Sequence, residues 1–251
     1  MKYRSESLTK TLLAYTLLCG ALTAMLALGS ALASPPTLLT DAGAGLDAGE
    51  ISSDVTIVID AGHGGEDGGT QSADGMYEKE VNLEIARMLD AMLRANGIRT
   101  VMTRTEDILL YDRNTDYHGR KKMLDLGARR KIAEESENAV FVSIHMNSYP
   151  EERYSGLQVF YSPNDNRSHT LAGLIQNTVQ NHLQPQNNRK IKEATSSIYL
   201  LDRLQCPAVL VECGFLSNPH EADLLSQETY RQKMAFILFC SVMSYISAEN
   251  A

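Results

Sequence analysis

The chain has 251 residues, 43% of them hydrophobic and 22% charged, with 17 Gly and 7 Pro. That is the composition of a folded globular protein with one domain of catalytic size, and it excludes disordered, collagenous and small disulfide-held classes. With 31 acidic against 23 basic residues and a formal charge of −8, the chain offers no broad cationic surface, which argues against nucleic acid as a partner.

Lys2, Arg4 and Lys10 precede an uncharged stretch, Thr11 to Ala33, that ends Ser30-Ala31-Leu32-Ala33. A basic start, an apolar middle and a small-x-small ending form the pattern of an export signal, so residues 1–33 read as a cleaved signal peptide. Left uncut, the same stretch at about 1.5 Å per residue could cross an apolar layer of about 30 Å as a membrane anchor. Either way the domain is expected outside the cytoplasm, and the membrane enters only through an uncleaved leader. Cys19 follows Leu18, a poor match to a lipoprotein cleavage site. Residues 34–53 are rich in Ser, Pro, Gly and Asp without periodicity and read as a linker.

The folded part is expected over residues 54–251. Val55-Thr56-Ile57-Val58-Ile59 is a β-branched run that enters Asp60-Ala61-Gly62-His63-Gly64-Gly65, whose glycines end the strand in a turn. From Glu80, the apolar residues Val81, Ile85, Met88, Leu89, Met92 and Leu93 recur at helical spacing until Asn96-Gly97, and Ile98 to Thr103 reads as the next strand. Strand, loop, helix and strand in that order predict a βαβ crossover, and hence a parallel sheet with helices on its faces. Ala139 to Ile144, Leu157 to Tyr161 and Pro207 to Val211 predict further strands. Leu171, Leu174, Ile175, Val179 and Leu183 mark one helix, and Tyr230, Met234, Ile237, Leu238 and Ser241 mark a C-terminal one.

Ligands of open α/β sheets bind beyond the C-terminal ends of strands, and three strands here run into polar residues: His63, His145 and Glu212. Neutral imidazoles with a carboxylate are the donor types of a catalytic zinc, which takes three protein ligands and keeps a fourth position for water. Each residue alone has a plainer reading. A single His after a strand is more often structural, and Glu212, costly to bury alone, could face an Arg. Glu78 and Glu80 flank Lys79 before a helix, where acids favour the helix dipole. The spacing from His63 to Glu78 to His145 fits no compact zinc motif, so the residues by themselves leave open which acid binds anything. Cys206, Cys213 and Cys240 remain once the leader takes Cys19; without a Cys-x-x-Cys pair they read as small buried hydrophobes, and a Cys206–Cys213 bridge has no support.

Five runs, taken together and in order, carry a resemblance: Ile59-Asp60-Ala61-Gly62-His63-Gly64-Gly65, Glu78-Lys79-Glu80-Val81-Asn82-Leu83, Thr103-Arg104, Ser143-Ile144-His145-Met146-Asn147 and Val211-Glu212-Cys213-Gly214-Phe215-Leu216-Ser217-Asn218. From Val55 to the C-terminus the chain resembles the zinc-dependent N-acetylmuramoyl-L-alanine amidases. Tyr154-Ser155-Gly156-Leu157-Gln158-Val159-Phe160-Tyr161, Ser197-Ile198-Tyr199-Leu200-Leu201, Pro219 after Asn218 and a long basic segment after Arg104 make it most similar to the spore-cortex, germination-specific members. The resemblance implies a three-layer α-β-α sandwich with a mostly parallel central sheet. It implies one Zn2+ per domain on His63, Glu78 and His145, with Glu212 as the catalytic carboxylate. Asn147 and Arg104 are candidates for orienting ligands or substrate. Two departures stand out: Ala61 replaces a usual Pro, and Cys213 replaces a usual Thr or Val, which could sensitise the neighbouring Glu212 to oxidation or stray metals.

On that resemblance the substrate is peptidoglycan, glycan strands with stem peptides, cut at the amide between N-acetylmuramic acid and L-alanine. A spore-cortex role would supply the stem-free muramic acid from which muramic-δ-lactam is made. Some relatives cover the zinc with a helix inserted between the segments matching Tyr161 and Ser196. Here the chain is too short for one, so an uncovered site is expected, controlled by timing, localisation or a protein activator. Two rival readings remain at this level: a hydrolase with Cys213 as nucleophile, and a non-catalytic wall-binding scaffold on the amidase fold.

Overall fold

The computed structural model describes residues 54–112, 114 and 119–250. The leader expected over residues 1–33 and the linker over 34–53 lie outside them. Six strands, β1 (Thr56–Ala61), β2 (Arg99–Met102), β3 (Ala139–Asn147), β4 (Gln158–Tyr161), β5 (Lys192–Glu193) and β6 (Ala208–Phe215), form one sheet in the order β2-β1-β3-β6-β4-β5. The helices are α1 (Glu78–Ala95), α2 (Lys121–Glu134), α3 (Arg167–His182), α4 (Tyr199–Arg203), α5 (Pro219–Ser226) and α6 (Glu228–Glu249).

The β2-β1-β3-β6 half is parallel, as the crossover pattern predicts, because helical connections carry the chain back to the starting edge. β4 departs from that expectation and runs antiparallel to β6. The connection from β3 to β4, residues 148–157, contains no helix to return the chain to the opposite edge, so β4 starts where β3 ends and runs back.

Alternation along the strands separates two faces. On one, Ile57, Ile59, Val140, Val142, Ile144, Val209 and Val211 pack in a single cluster with Val81, Ile85 and Leu89 of α1, Leu171, Ile175 and Val179 of α3, and Met234, Leu238 and Val242 of α6. The other face carries a smaller cluster, Val58, Phe141 and Ala208 under Ala133 of α2 and Leu200 and Leu201 of α4. Helices thus cover both faces of a mostly parallel sheet, giving the three-layer sandwich. No helix among the described residues is long and apolar enough to cross a membrane.

Period two also assigns the polar strand residues. Asp60 follows Val58 by two, and Ser143, His145 and Glu212 fall in the same phase as Phe141 and Ala208, so all four belong to the thinly covered face. Asp60, 1% exposed, is the extreme case. Its Oδ1 accepts from Arg129 Nη1 at 2.7 Å and Thr103 Oγ1 at 2.8 Å, and its Oδ2 accepts from Ser143 Oγ at 2.6 Å. Burial pushes its pKa up, but the Arg129 charge and the hydrogen bonds outweigh it and hold the carboxyl below its ordinary value of 3.8.

A carboxyl with a depressed folded pKa contributes stability that is complete above its unfolded pKa and is lost as pH falls through the folded one. Asp60→Asn is therefore expected to destabilise the fold by about 3 kcal/mol at pH 7, the cost of breaking a buried pair. In urea unfolding the gap to wild type stays constant down to about pH 4 and narrows below it.

Candidate metal centre

β1 delivers the chain into a turn that only small or specially placed residues can make. A Cβ on Gly62 would lie 2.3 Å from the His145 ring, and one on Gly64 would lie 2.2 Å from the Ile108 carbonyl oxygen. His63 adopts φ 61°, a left-handed conformation that costs a non-glycine residue on the order of 1 kcal/mol and is held only where its surroundings demand it. The result turns His63 back over the end of the sheet. Its Nε2 lies 3.2 Å from Glu78 Oε1, and its Nδ1 lies 2.9 Å from Asp67 Oδ2.

Glu78 is the first residue of α1, two residues earlier than apolar periodicity places the helix start. The first-turn N–H groups, which have no partner within the helix, are taken by the preceding loop: Glu78 N donates to Thr70 O at 2.9 Å and Lys79 N to Gly68 O at 3.2 Å. The carboxylate is 3% exposed. Its Oε1 accepts from His145 Nδ1 at 2.9 Å, Met146 N at 3.0 Å and Asn82 Nδ2 at 3.3 Å; its Oε2 accepts from Thr70 N at 2.9 Å. Burial opposes the charge, yet the hydrogen bonds and charges of His145 and His63 hold its pKa well below the ordinary carboxylate range. A Cβ on Gly69 would meet Glu78 Oε2 at 2.4 Å, so this loop approaches as closely as backbone can.

His63, Glu78 and His145 are the only cluster of metal-capable side chains among the described residues, with donor atoms all within 4.8 Å of one another. Tetrahedral zinc with ligand bonds near 2.0 Å separates its donors by about 3.3 Å, close to the 3.2 and 2.9 Å found between Glu78 Oε1 and the two imidazoles. The electrostatics agree. Burial lowers the His63 pKa, but Asp67 and Glu78 overcome it and raise it to about 9, so the site favours positive charge where a cation would sit. Asp67 lies behind the His63 ring, on the side from which a carboxylate can orient a ligating imidazole, at ion-pair distance and without hydrogen-bond geometry. The residues present can hold a metal, and no fourth His, Cys, Asp or Glu among the described residues joins them.

Glu212 sits inside β6, paired in register with His145, not past a strand end at Val211 as the apolar run suggests. Its Oε2 is sealed from solvent and has no hydrogen-bond partner among the described residues. Burial pushes its pKa up to about 7, with His145 opposing and Glu78 adding. The structure therefore brings all four principal candidates together. Asn147 follows a shift in the ladder register after His145, and its Oδ1 accepts from Ser148 N at 2.8 Å. Arg104 is 2% exposed and lies under the turn, donating from Nε to Ala61 O at 2.8 Å and from Nη2 to Gly62 O at 2.9 Å. Its hydrogen bonds go to backbone carbonyls.

Asp67, Asn82 and Arg129 have no role in the sequence-based reading. Asp67 lies four residues after His63 in a turn, a spacing that could have flagged it; Asn82 lies one helical turn after Glu78. Arg129 has one local partner, Asp125 four residues earlier, but its partners at the turn, Asp60, Ala61 and His63, are more than sixty residues away in sequence. Cys206, Cys213 and Cys240 are free thiols. Cys213 points into the large core, on the opposite face from Glu212, and burial raises its pKa far above the thiol range. The expected oxidation sensitivity beside Glu212 and a Cys213 nucleophile both fail on that placement.

The family model described as N-acetylmuramoyl-L-alanine amidase matches residues 57–238. The germination-specific N-acetylmuramoyl-L-alanine amidase of Bacillus subtilis (strain 168) is 36% identical over 194 residues, covering 77% of this chain and 81% of that relative. Among solved structures, the CwlD amidase from Clostridioides difficile, in complex with the GerS lipoprotein, superposes with a TM-score of 0.73 at 36% identity over 77% of this chain and 98% of that one. The amidase AmiC2 of Nostoc punctiforme gives a TM-score of 0.67 at 29% identity over 78% and 99%. A chain matched by that model over residues 57–238, with a relative 36% identical over 194 residues, belongs to the N-acetylmuramoyl-L-alanine amidase family.

Proposed function

We propose that residues 54–251 form a zinc amidase domain that cuts the peptidoglycan amide between the lactyl group of N-acetylmuramic acid and L-alanine. In this reading His63, Glu78 and His145 hold the zinc and Glu212 moves the proton. The observation that carries it is the unpartnered, solvent-sealed Oε2 of Glu212 in register with His145, beside a three-donor cluster with room for a cation. Zinc when bound supplies a bound water of pKa about 7 and polarises the scissile carbonyl.

The chain's own groups do the rest. Glu212 Oε2, buried and without a hydrogen-bond partner, is the group that accepts a proton from the attacking water and returns it to the departing L-alanine nitrogen. Asp67 faces His63 Nδ1 at ion-pair distance, and the ring's Nε2 lies toward the cluster. The thin α2–α4 layer leaves the cleft partly open, with the His63 and His145 side chains 17% and 19% exposed. That suits a polymeric substrate.

The spore-cortex assignment, with muramic-δ-lactam as the downstream product, rests on the germination-specific relative. A protein activator is proposed on the CwlD amidase having been solved with a lipoprotein partner. Action outside the cytoplasm, in the wall or cortex space, is proposed on the export-signal pattern of residues 1–33 and on the germination-specific relative.

Peptidoglycan digestion read as new N-terminal L-alanine is expected to stop on chelation and return with zinc. Glu212→Gln should retain zinc and lose about 10²- to 10⁴-fold in kcat; wild-type turnover by this variant would refute the role and favour the scaffold. Cys213→Ser is expected to keep wild-type kcat. In the producing organism, spores carrying Glu212→Gln should lack muramic-δ-lactam, and unchanged lactam would remove the cortex assignment.

A further inference from the structure

We infer that Arg129, with Arg104 beside it, is a positioning residue that sets metal affinity by fixing the main chain of His63. The inference rests on the metal reading above.

Three consecutive carbonyls, those of Ala61, Gly62 and His63, lead into the ligand, and each is held by a guanidinium. The Ala61 oxygen accepts from Arg104 Nε at 2.8 Å and from Arg129 Nη1 at 2.7 Å. Gly62 O accepts from Arg104 Nη2 at 2.9 Å, and His63 O from Arg129 Nη2 at 2.6 Å. His63 itself has φ 61°, so its backbone is in a conformation that it does not favour unaided. Releasing the His63 carbonyl frees the residue to rotate its ring away from Glu78.

Neither arginine is available for substrate. Arg129 donates from Nε to Asp125 Oδ2 at 2.7 Å, from Nη1 to Asp60 and Ala61, and from Nη2 to His63 and, at 3.4 Å, Asp125 Oδ1. Those contacts occupy all the N–H groups a guanidinium has. The side chain is 2% exposed. Asp125 in turn accepts from Leu110 N at 2.7 Å, so the fork is anchored at both ends. Arg104 adds a second tie. Its Nη2 also donates to Lys79 O at 2.7 Å, directly after Glu78, so one guanidinium links the backbone beside two of the three metal ligands. A lysine keeps the charge at either position but presents a point donor that cannot span these acceptors.

The test uses the full chain and zinc alone. Zinc affinity is measured by competition with a chromophoric chelator, and ligand geometry by the visible spectrum of the cobalt(II) form. Arg129→Lys and Arg104→Lys, folded by circular dichroism, are each expected to bind zinc about 10- to 100-fold more weakly, with an altered cobalt spectrum. Arg104→Lys leaves the Asp60–Arg129 pair intact and so answers the question even where Arg129→Lys does not fold. Leu238→Ala, which loosens the large core on the opposite face, should keep wild-type zinc affinity and so separate positioning from loss of stability. Wild-type affinity and an unchanged cobalt spectrum in the folded lysine variants would overturn the inference while leaving the metal reading intact; no zinc uptake by wild type would remove both.

Discussion

A carboxylate in the middle of a sheet face is tolerated only if a cation is buried with it, and Arg129 is the cation that accompanies Asp60. The pair lies between β1 and α2, with Ser143 of β3 and Thr103 closing the remaining lone pairs. Such a pair adds little over a well-packed apolar substitute in net stability. What it supplies here is directional. Methyl groups could fill the same space, but only a planar set of donors can bind the Asp60 carboxylate and two backbone carbonyls of the following turn at once.

The two faces of the sheet divide the work. One is sealed by α1, α3 and α6 over a long apolar cluster that includes residues of every central strand. The other has a small apolar cluster at one end and charged or hydrogen-bonding side chains toward the C-terminal edge of the parallel strands. Stability is concentrated where chemistry is absent. The same separation lets the cleft stay accessible without exposing the core that supports it.

Much of this was legible in the chain before folding. Apolar runs located the strands and the core faces of α1, α3 and α6, because period two and period 3.6 are imposed by burial on one side. β3 and β6 run longer than their apolar stretches since His145, Asn147 and Glu212 continue the extended backbone with polar side chains. α2 escaped notice for a related reason: its buried residues are Asp125, Arg129 and Ala133, so it has no apolar stripe to read. Polar residues closing apolar strands pointed to His63, His145 and Glu212. Glu78 emerged only through family resemblance, since an acid at a helix start is ordinary. Arg104 was read toward ligands or substrate; that its contacts run to the carbonyls of Ala61 and Gly62 was not legible, because pairing over forty residues leaves no local trace.

Alternation along β6 has one more consequence. Val211, Glu212 and Cys213 place an apolar group, an acid and a thiol in succession, with the first and third in the large core. Slipping this strand by a single residue against β3 would drive the Glu212 carboxylate into hydrocarbon and turn Val211 and Cys213 toward the cleft. His145 and Asp60 impose the same penalty on β3 and β1. Glu212, His145 and Asp60 therefore also work as alignment marks for the central strands, because a slipped pairing would bury their polar groups in hydrocarbon.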